Sequence, residues 1–373
     1  MASEPDAEAA GLLLHAGAQP AIGPPGGVHD GRAPTIRDVA RLAQVSLKTV
    51  SRVLNQDRFV SEAMVHRVND AIERLGYRRN LAAVRLRRAD RRTHTVGLLL
   101  VDVANPFSSV LHRAVEDEAR RQGQLVFAGS SEEDPGREDE VLATFVARQV
   151  DGLVVVPSPR EPAAPAAEGP WHRVPTVFVD RPGPGPEYDS VTSDNRRGSL
   201  AAIQHLAASG HWRIAFLGDR LSIWTAAERH GGYTDGLVQA GLHYRPELVR
   251  HGLATIEAAE RAALDLLSTP HAPTAIFAAQ NLVAVGAIKA LRQLGLQRRV
   301  AMVAFDDLTL ADLLDPALTV VAQDPTALGQ RAASLLFQRL AGERGAAQQV
   351  VVPTRLLPRG SGEIPNLTEG APG

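Results

Sequence analysis

Between residues 35 and 77 apolar positions recur at helical spacing in three short blocks: Ile36, Val39, Ala40 and Ala43; Val50, Val53 and Leu54; Met64, Val65, Val68, Ile72 and Leu75. Thr35, with Asp38 three residues on, predicts a capped start for the first helix. Gln44-Val45 supplies a tight turn, and Ser46 opens the second helix. Asn55-Gln56-Asp57 interrupts the pattern, Ser61 caps the third helix, and Gly76 ends it. A further short, very basic helix is expected over 80–88, followed by a linker to Thr95.

From Val96 the pattern changes. Continuous apolar runs at Val96–Val101, Leu125–Ala128, Gly152–Val156, Thr176–Val179, Ile214–Leu217, Ala275–Ala278 and Val300–Phe305 predict buried strands. Helical stretches follow several of them: Asn105-Pro106 to about Gln122, Glu138–Arg148, Ala226–Ala240 and Leu282–Leu294. This alternation predicts parallel sheets covered on both faces, in two lobes with a cleft between. Ligands of open α/β sheets bind beyond the C-terminal strand ends. That draws attention to Asp102, Ser130, Asp180, Gln280 and Asp306, which come straight after strands.

Composition narrows the function classes. The 373 residues contain no cysteine, so disulfides and thiolate metal sites are excluded. No apolar run is long enough to cross a bilayer, and the acidic N-terminus does not resemble a secretion signal; a cytoplasmic protein is expected. The net charge of −2 conceals an asymmetry, with residues 34–92 at +8 and the rest at −10. A small basic unit on an acidic body predicts a polyanion partner. Neither Lys48 nor Lys289 lies in a phosphate-binding loop, no G-x-S-x-G elbow occurs, and no metal or cofactor site is legible, so no enzymatic role is expected.

Two helices joined by a tight turn, with a third behind them, form a DNA-reading shape. Its second helix would present Ser46, Leu47, Lys48 and Thr49, with Arg52 one turn on. Lys48 and Arg52 match guanine edges and Leu47 a thymine methyl, while Thr35, Ser46, Thr49, Ser51, Asn55 and Ser61 suit phosphates. Leu47 alone reads as core and Lys48 as a solvated cation; only their order and spacing as a set give the groove-reading face.

The run Thr35-Ile-Arg-Asp-Val-Ala-Arg-Leu-Ala-Gln-Val-Ser-Leu-Lys-Thr-Val-Ser-Arg-Val-Leu-Asn55 resembles the signature of the lactose-repressor (LacI/GalR) family, and residues 75–86 resemble that family's hinge helix. Weaker similarity continues through Asn105-Pro-Phe107, Val179-Asp-Arg181, Asp194-Asn195, Arg229-His-Gly-Gly-Tyr233, Phe305-Asp-Asp307 and Leu318–Gln323. The resemblance implies a small all-α helix-turn-helix domain plus an α/β two-lobed sensor like periplasmic sugar-binding proteins. Residues 1–33, rich in Gly, Ala and Pro without sustained periodicity, read as a disordered tail; after them come the DNA-binding domain (34–79), hinge helix and linker (80–95), the sensing and dimerisation domain (96–361) and a C-terminal tail (362–373). Asn80, Ala83 and Leu86 would belong to a hinge that enters the minor groove as a two-fold pair, which implies a homodimer on a near-palindromic operator. Gln44 departs from the family's usual Gly in the turn, Arg79 from a Pro, Val84 from an Arg and Asn281 from an Asp.

By matched position the effector would lie among Asp102, Asn105, Phe107, Ser130, Asp180, Arg181, Trp224, Arg229, Gln280, Asp306 and Gln323. Carboxylates accept from two hydroxyls at once, arginine donates in a fork, and Phe107 and Trp224 cover an apolar ring face, which predicts a mono- or disaccharide. Trp171 and Trp212 read as packing residues. The competing reading is a sugar-binding receptor without DNA function, against which stands the basic segment 34–92. The expected protein is a ligand-responsive repressor whose effector shifts the lobes and thereby operator affinity.

Overall fold

In the computed structural model the chain divides into two compact units, broken at residues 89/90. The structure describes residues 34–55, 57, 59–77, 92–160 and 169–367; the segments 1–33 and 80–91, with Asn80, Ala83 and Leu86, lie outside them.

The first unit holds α1 (Ile36–Leu42), α2 (Leu47–Leu54) and α3 (Glu62–Leu75). Val39, Ala40, Ala43, Val50, Val53, Val68 and Ala71 form its core. Met64, expected on the inward face, is 39% exposed, and Ala71 takes an inward place instead. The Asp38 carboxylate accepts from both the Thr35 backbone N–H and its hydroxyl, at 2.9 and 2.6 Å. Ser61 stands at the N-cap of α3 but makes no side-chain cap bond. Gly76 ends α3 in the left-handed region at φ 60°, and Tyr77 N–H closes the turn on Ile72 C=O at 3.0 Å.

The turn between α1 and α2 keeps the left-handed backbone its position calls for, although the residue is glutamine: Gln44 has φ 50°. An L-residue pays about 1–2 kcal/mol for that conformation. Gln44→Gly removes this strain at an unfolded-state entropy cost of about 0.4–1 kcal/mol. The expected net gain is about 0.5–1 kcal/mol. Amide exchange in α1 and α2 of the full chain should slow accordingly; faster exchange would refute the strain.

The second unit is two lobes, each a six-stranded sheet with helices on both faces. Lobe one contains β1 (Thr95–Leu100), β2 (Leu125–Ser130), β3 (Gly152–Val155), β4 (Thr176–Val179), β5 (Asp189–Ser193) and β11 (Gln349–Val352), all parallel, in the order β11-β5-β4-β3-β1-β2. Its helices are α4 (Pro106–Arg121), α5 (Pro135–Ala147) and α10 (Pro325–Leu340). Period-two alternation sends Leu98 and Leu100 to one core with Leu111, Leu328 and Leu336, and Leu99 to the other with Phe145, Trp171 and Phe178.

Lobe two contains β6 (Ile214–Leu217), β7 (Val249–Arg250), β8 (Ala275–Ala278), β9 (Ala301–Phe305), β10 (Thr319–Ala322) and β12 (Arg355–Leu357), ordered β12-β10-β9-β8-β6-β7. Only β12 runs antiparallel to its neighbour. Its helices are α6 (Asn195–Ala208), α7 (Trp224–Gln239), α8 (Ile256–Leu267) and α9 (Asn281–Gln293). The chain passes between lobes after β5, after β10 and between β11 and β12. The first and third of these crossings are tied together, since Asp194 N–H donates to Val352 C=O at 3.0 Å and the Thr354 hydroxyl to Asp194 C=O at 3.3 Å.

Several boundaries differ from the sequence expectation. Residues 93 and 94 are not free linker: their N–H groups donate to the Asp151 carboxylate at 2.7 and 2.8 Å. Helix α5 starts three residues early because Asp134 caps it, accepting from Arg137 N–H at 3.0 Å. The segment after 361 is not a tail through Leu367, because Ile364 packs on the lobe-two core and Asn366 N–H donates to Ser209 C=O at 3.2 Å.

Candidate functional site

On the first unit, α2 buries Val50 and Val53 and turns Leu47, Lys48 and Arg52 outward. Leu47 is 45% exposed, on the same outward face as Lys48 and Arg52. The Ser46 hydroxyl accepts from Thr49 N–H at 3.1 Å and shares a 2.9 Å bond with the Thr49 hydroxyl, pinning the N-terminal turn of the exposed face. Arg52 Nε lies 3.4 Å from Asp57 Oδ2, an exposed pair worth a fraction of a kcal/mol, about 0.2–1. Thr35 and Ser51 are half-buried, whereas Asn55 and Ser61 are exposed.

The second unit carries a polar box between its lobes. Asp180 follows β4 in lobe one and Asp306 follows β9 in lobe two, and both are non-glycine residues at positive φ, 69° and 77°. Their backbones are held the same way: Asp180 N–H donates to Val191 C=O and Asp306 N–H to Val321 C=O, each at 2.9 Å. The strained conformation turns two carboxylates off the C-terminal sheet edges, where ligands of such sheets bind. Each residue is less than 10% exposed.

Arg229 of α7 enters the same space. Its Nε donates to Asn195 Oδ1 at 2.7 Å and its Nη1 to Ala279 C=O at 2.9 Å, while the guanidinium lies over the Phe305 ring at 3.9 Å. Arg229 Nη1 stays 3.9 Å from Asp306 Oδ2, beyond direct hydrogen-bonding distance. The Asp306 Oδ1 atom accepts from Gln323 Nε2 at 2.5 Å. Burial raises the Asp180 pKa above the usual carboxylate range against the pull of Arg181 and Arg229. Burial likewise lowers that of Arg229, opposed by Asp306 and Asp180. The charges are thus desolvated more than they are paired, and the Oε1 atoms of Gln280 and Gln323 are buried without partners. Such acceptors can take hydrogen bonds from hydroxyl donors.

Arg181 is committed elsewhere: it donates to both Glu133 oxygens at 2.7 and 2.5 Å and to Pro157 C=O at 2.9 Å. Ser130 proves to be the last residue of β2, not its successor, and its hydroxyl accepts from Val103 N–H at 3.2 Å. Asp102 is exposed and accepts from Ala104 N–H at 2.8 Å. Asn105 caps α4 through Phe107 N–H at 3.0 Å, and the same Oδ1 accepts from Asn281 Nδ2 at 2.8 Å, which joins lobe one to lobe two. Phe107 lines a cleft cavity of about 420 Å³ with Asn281, Asp306, Gln323 and the Arg359–Asp307 pair. Trp224 sits apart from it, at a second cavity bordered by Arg181. Trp171 is a core residue as expected, and Trp212 lies under the guanidinium groups of Arg213 and Arg245. Sequence reasoning passed over Asn195 and Glu133 as partners of the two arginines. Glu133 carries a trace of its role in a positive φ of 62° just beyond β2, which composition does not reveal.

Two family models match the chain: bacterial regulatory proteins of the lacI family over residues 35–80, and the periplasmic binding protein-like domain over residues 203–362. The ribose operon repressor of Escherichia coli (strain K12) is 33% identical over 329 residues, covering 88% of this chain and 99% of that protein. The HTH-type transcriptional repressor PurR of Aliivibrio fischeri (strain MJ11) is 30% identical over 310 residues, covering 82% and 91%. Among solved structures, a Lac repressor dimer bound to operator and the anti-inducer ONPF matches with TM-score 0.77 and 27% identity over 89% of this chain and 99% of that one. A complex of the transcriptional regulator CelR with cellobiose matches with TM-score 0.66 and 31% identity over 88% and 99%.

Proposed function

The chain belongs to the LacI family of bacterial regulatory proteins, and from that premise we propose that it is a repressor that binds a near-palindromic operator as a homodimer and releases or grips it in response to a small sugar-like effector. The observation that carries the DNA half is the exposed face of α2, with Leu47, Lys48 and Arg52 outward on a helix whose other side is core. The hinge role of Asn80, Ala83 and Leu86 rests on the resemblance alone. The effector reading rests on the polar box of Asp180, Arg229 and Asp306, with Gln280 and Gln323 as spare acceptors and Phe107 and Trp224 as apolar walls. The relatives named above are repressors or, for CelR, a transcriptional regulator, and regulation rather than catalysis is the role assigned to this site; a protein working on the chromosome acts in the cytoplasm. Among the described residues no helix is long and apolar enough to cross a membrane.

Arg52→Ala is expected to weaken operator binding by about 1–3 kcal/mol and to relax base choice at one position of each half-site. A gel-shift series on operator variants at fixed salt measures both quantities. Equal affinity for every duplex in the unaltered protein, with and without sugars, would remove the regulatory reading altogether.

A further inference from the structure

Beside the polar box lies a second compartment, of which the effector reading uses only Arg181 and Trp224. Strands β3 and β4 run out into Pro157-Ser-Pro159 and Arg181-Pro-Gly-Pro184, and Ser222 and Trp224 approach from lobe two; with Trp171 they enclose a cavity of about 250 Å³. That is below the roughly 300–1,000 Å³ of a complete small-molecule pocket, so it fits one ring of a larger ligand. It adjoins the polar box, since Arg181 lines the cavity while its Nε lies 3.6 Å from Asp180 Oδ2.

The lining specifies what that ring is. Its charges are already neutralised: Arg181 is forked onto Glu133, and Arg160 donates to Glu138 at 2.8 Å and Asp139 at 2.7 Å. Phosphate, carboxylate and ammonium groups therefore find no free counter-charge there. The prolines and the two tryptophans offer apolar walls, and the Arg160 guanidinium lies 5.1 Å from the Trp171 ring. Three buried polar atoms of the lining residues lack a hydrogen-bond partner, the Ser158 hydroxyl, Trp171 Nε1 and Arg181 Nε; Ser158 is 5% exposed, and its backbone N–H is satisfied by Glu138 at 2.6 Å. A neutral ring with an apolar C–H face and a hydroxyl at its edge matches this lining.

We propose that this compartment takes a second sugar ring, so that the molecule sensed is a disaccharide or longer glycoside rather than a lone monosaccharide; the proposal rests on the carbohydrate reading of the polar box. The test is titration calorimetry on the full chain with D-ribose, D-glucose, D-galactose, maltose, cellobiose, lactose, melibiose, sucrose, trehalose, the 4-nitrophenyl glucosides and galactosides, and adenosine and cytidine. At least one disaccharide is expected to bind about tenfold or more tighter than each of its component monosaccharides. Ser222→Trp fills the compartment from an exposed rim position and should bring that ratio to about one, with Ser158→Ala reducing it severalfold. Monosaccharides binding as tightly as their disaccharides, a ratio that survives Ser222→Trp, or a gain confined to the nitrophenyl glycosides would each overturn the second-ring proposal while leaving the polar box as a sugar site. Nucleosides binding where no sugar does would overturn both.

Discussion

Arg229→Met is expected to leave a protein that still holds its operator but no longer answers to its effector. Arg229 is 6% exposed; one Nε and one Nη1 donor are given to Asn195 and Ala279, the remaining N–H groups are left for a ligand, and its charge interacts with both Asp180 and Asp306. Methionine keeps much of the stem volume over Phe305 but removes the charge and the fork. The two carboxylates are then left in a desolvated space without their shared cation, a change that typically costs about 3–5 kcal/mol when one partner of a buried pair is deleted. Effector affinity loses roughly 2–4 kcal/mol of charge-assisted hydrogen bonding, a fall of roughly 30- to 1,000-fold. Calorimetry gives the affinity and a gel shift with added effector gives the response. Adding Asp306→Asn removes one of the stranded charges, so the double variant should regain part of the lost stability and none of the response. An effector affinity within threefold of the unaltered protein in Arg229→Met would show that Arg229 serves the fold alone.

The second large effect concerns backbone contact between α6 and α7. A Cβ at Gly232 would lie 2.1 Å from the Arg196 carbonyl oxygen and 2.7 Å from Ser199 Cβ. A backbone oxygen inside a helix cannot rotate aside, so Gly232→Ala must push the two helices apart. Overpacking of this kind costs typically 1–3 kcal/mol, and the upper end, about 3 kcal/mol, is expected here. For a unit of this size that lowers the melting midpoint by roughly 5–10 °C. Effector affinity should fall with it, because Asn195 opens α6 and Arg229 lies on α7, one turn before the substituted position. Gly231→Ala is the matched control. Its Cβ would meet only the far end of the Arg196 side chain, at 2.6 Å, which can swing away, and alanine gains up to about 1 kcal/mol of helix propensity. A Gly232→Ala protein as stable as Gly231→Ala would mean that the helices have slack the close approach denies.

Much of the architecture was written in local pattern. Apolar runs marked seven strands; six are buried, because a strand covered on both faces has no polar side to alternate with, whereas Leu125–Ser130, expected buried, is a largely exposed edge strand, and Thr176–Val179, Ile214–Leu217 and Ala275–Ala278 were placed to the residue. Strand β5 escaped the same reading. Its sequence, Asp189-Ser-Val-Thr-Ser193, is polar, and its burial depends on Arg339 donating to the Asp189 carboxylate at 2.7 and 2.8 Å from 150 residues away. Beyond Phe305 the strands went unread: β10 is apolar and buried but was not marked, β11 is half-exposed, and β12 is three residues pairing antiparallel at a sheet edge.

For the functional residues, sequence alone determined the face of α2, the tight turn at Gln44-Val45 and the stop at Gly76, because each depends on side chains within a few residues of one another, whereas the positive φ of Gln44 came from the structure. It also singled out Asp180, Arg229 and Asp306 as candidates, through their places after strands and their match to a known signature. Only the tertiary structure decided that the two aspartates stand on matching left-handed backbones and that Arg181 is taken by Glu133. The same holds for Asn105 meeting Asn281 across the lobes and for a second compartment beyond the first. Those facts join residues up to 176 positions apart. Periodicity reports which way a side chain points from its own element, whereas what it meets there depends on how distant elements pack and on which polar groups burial leaves without water.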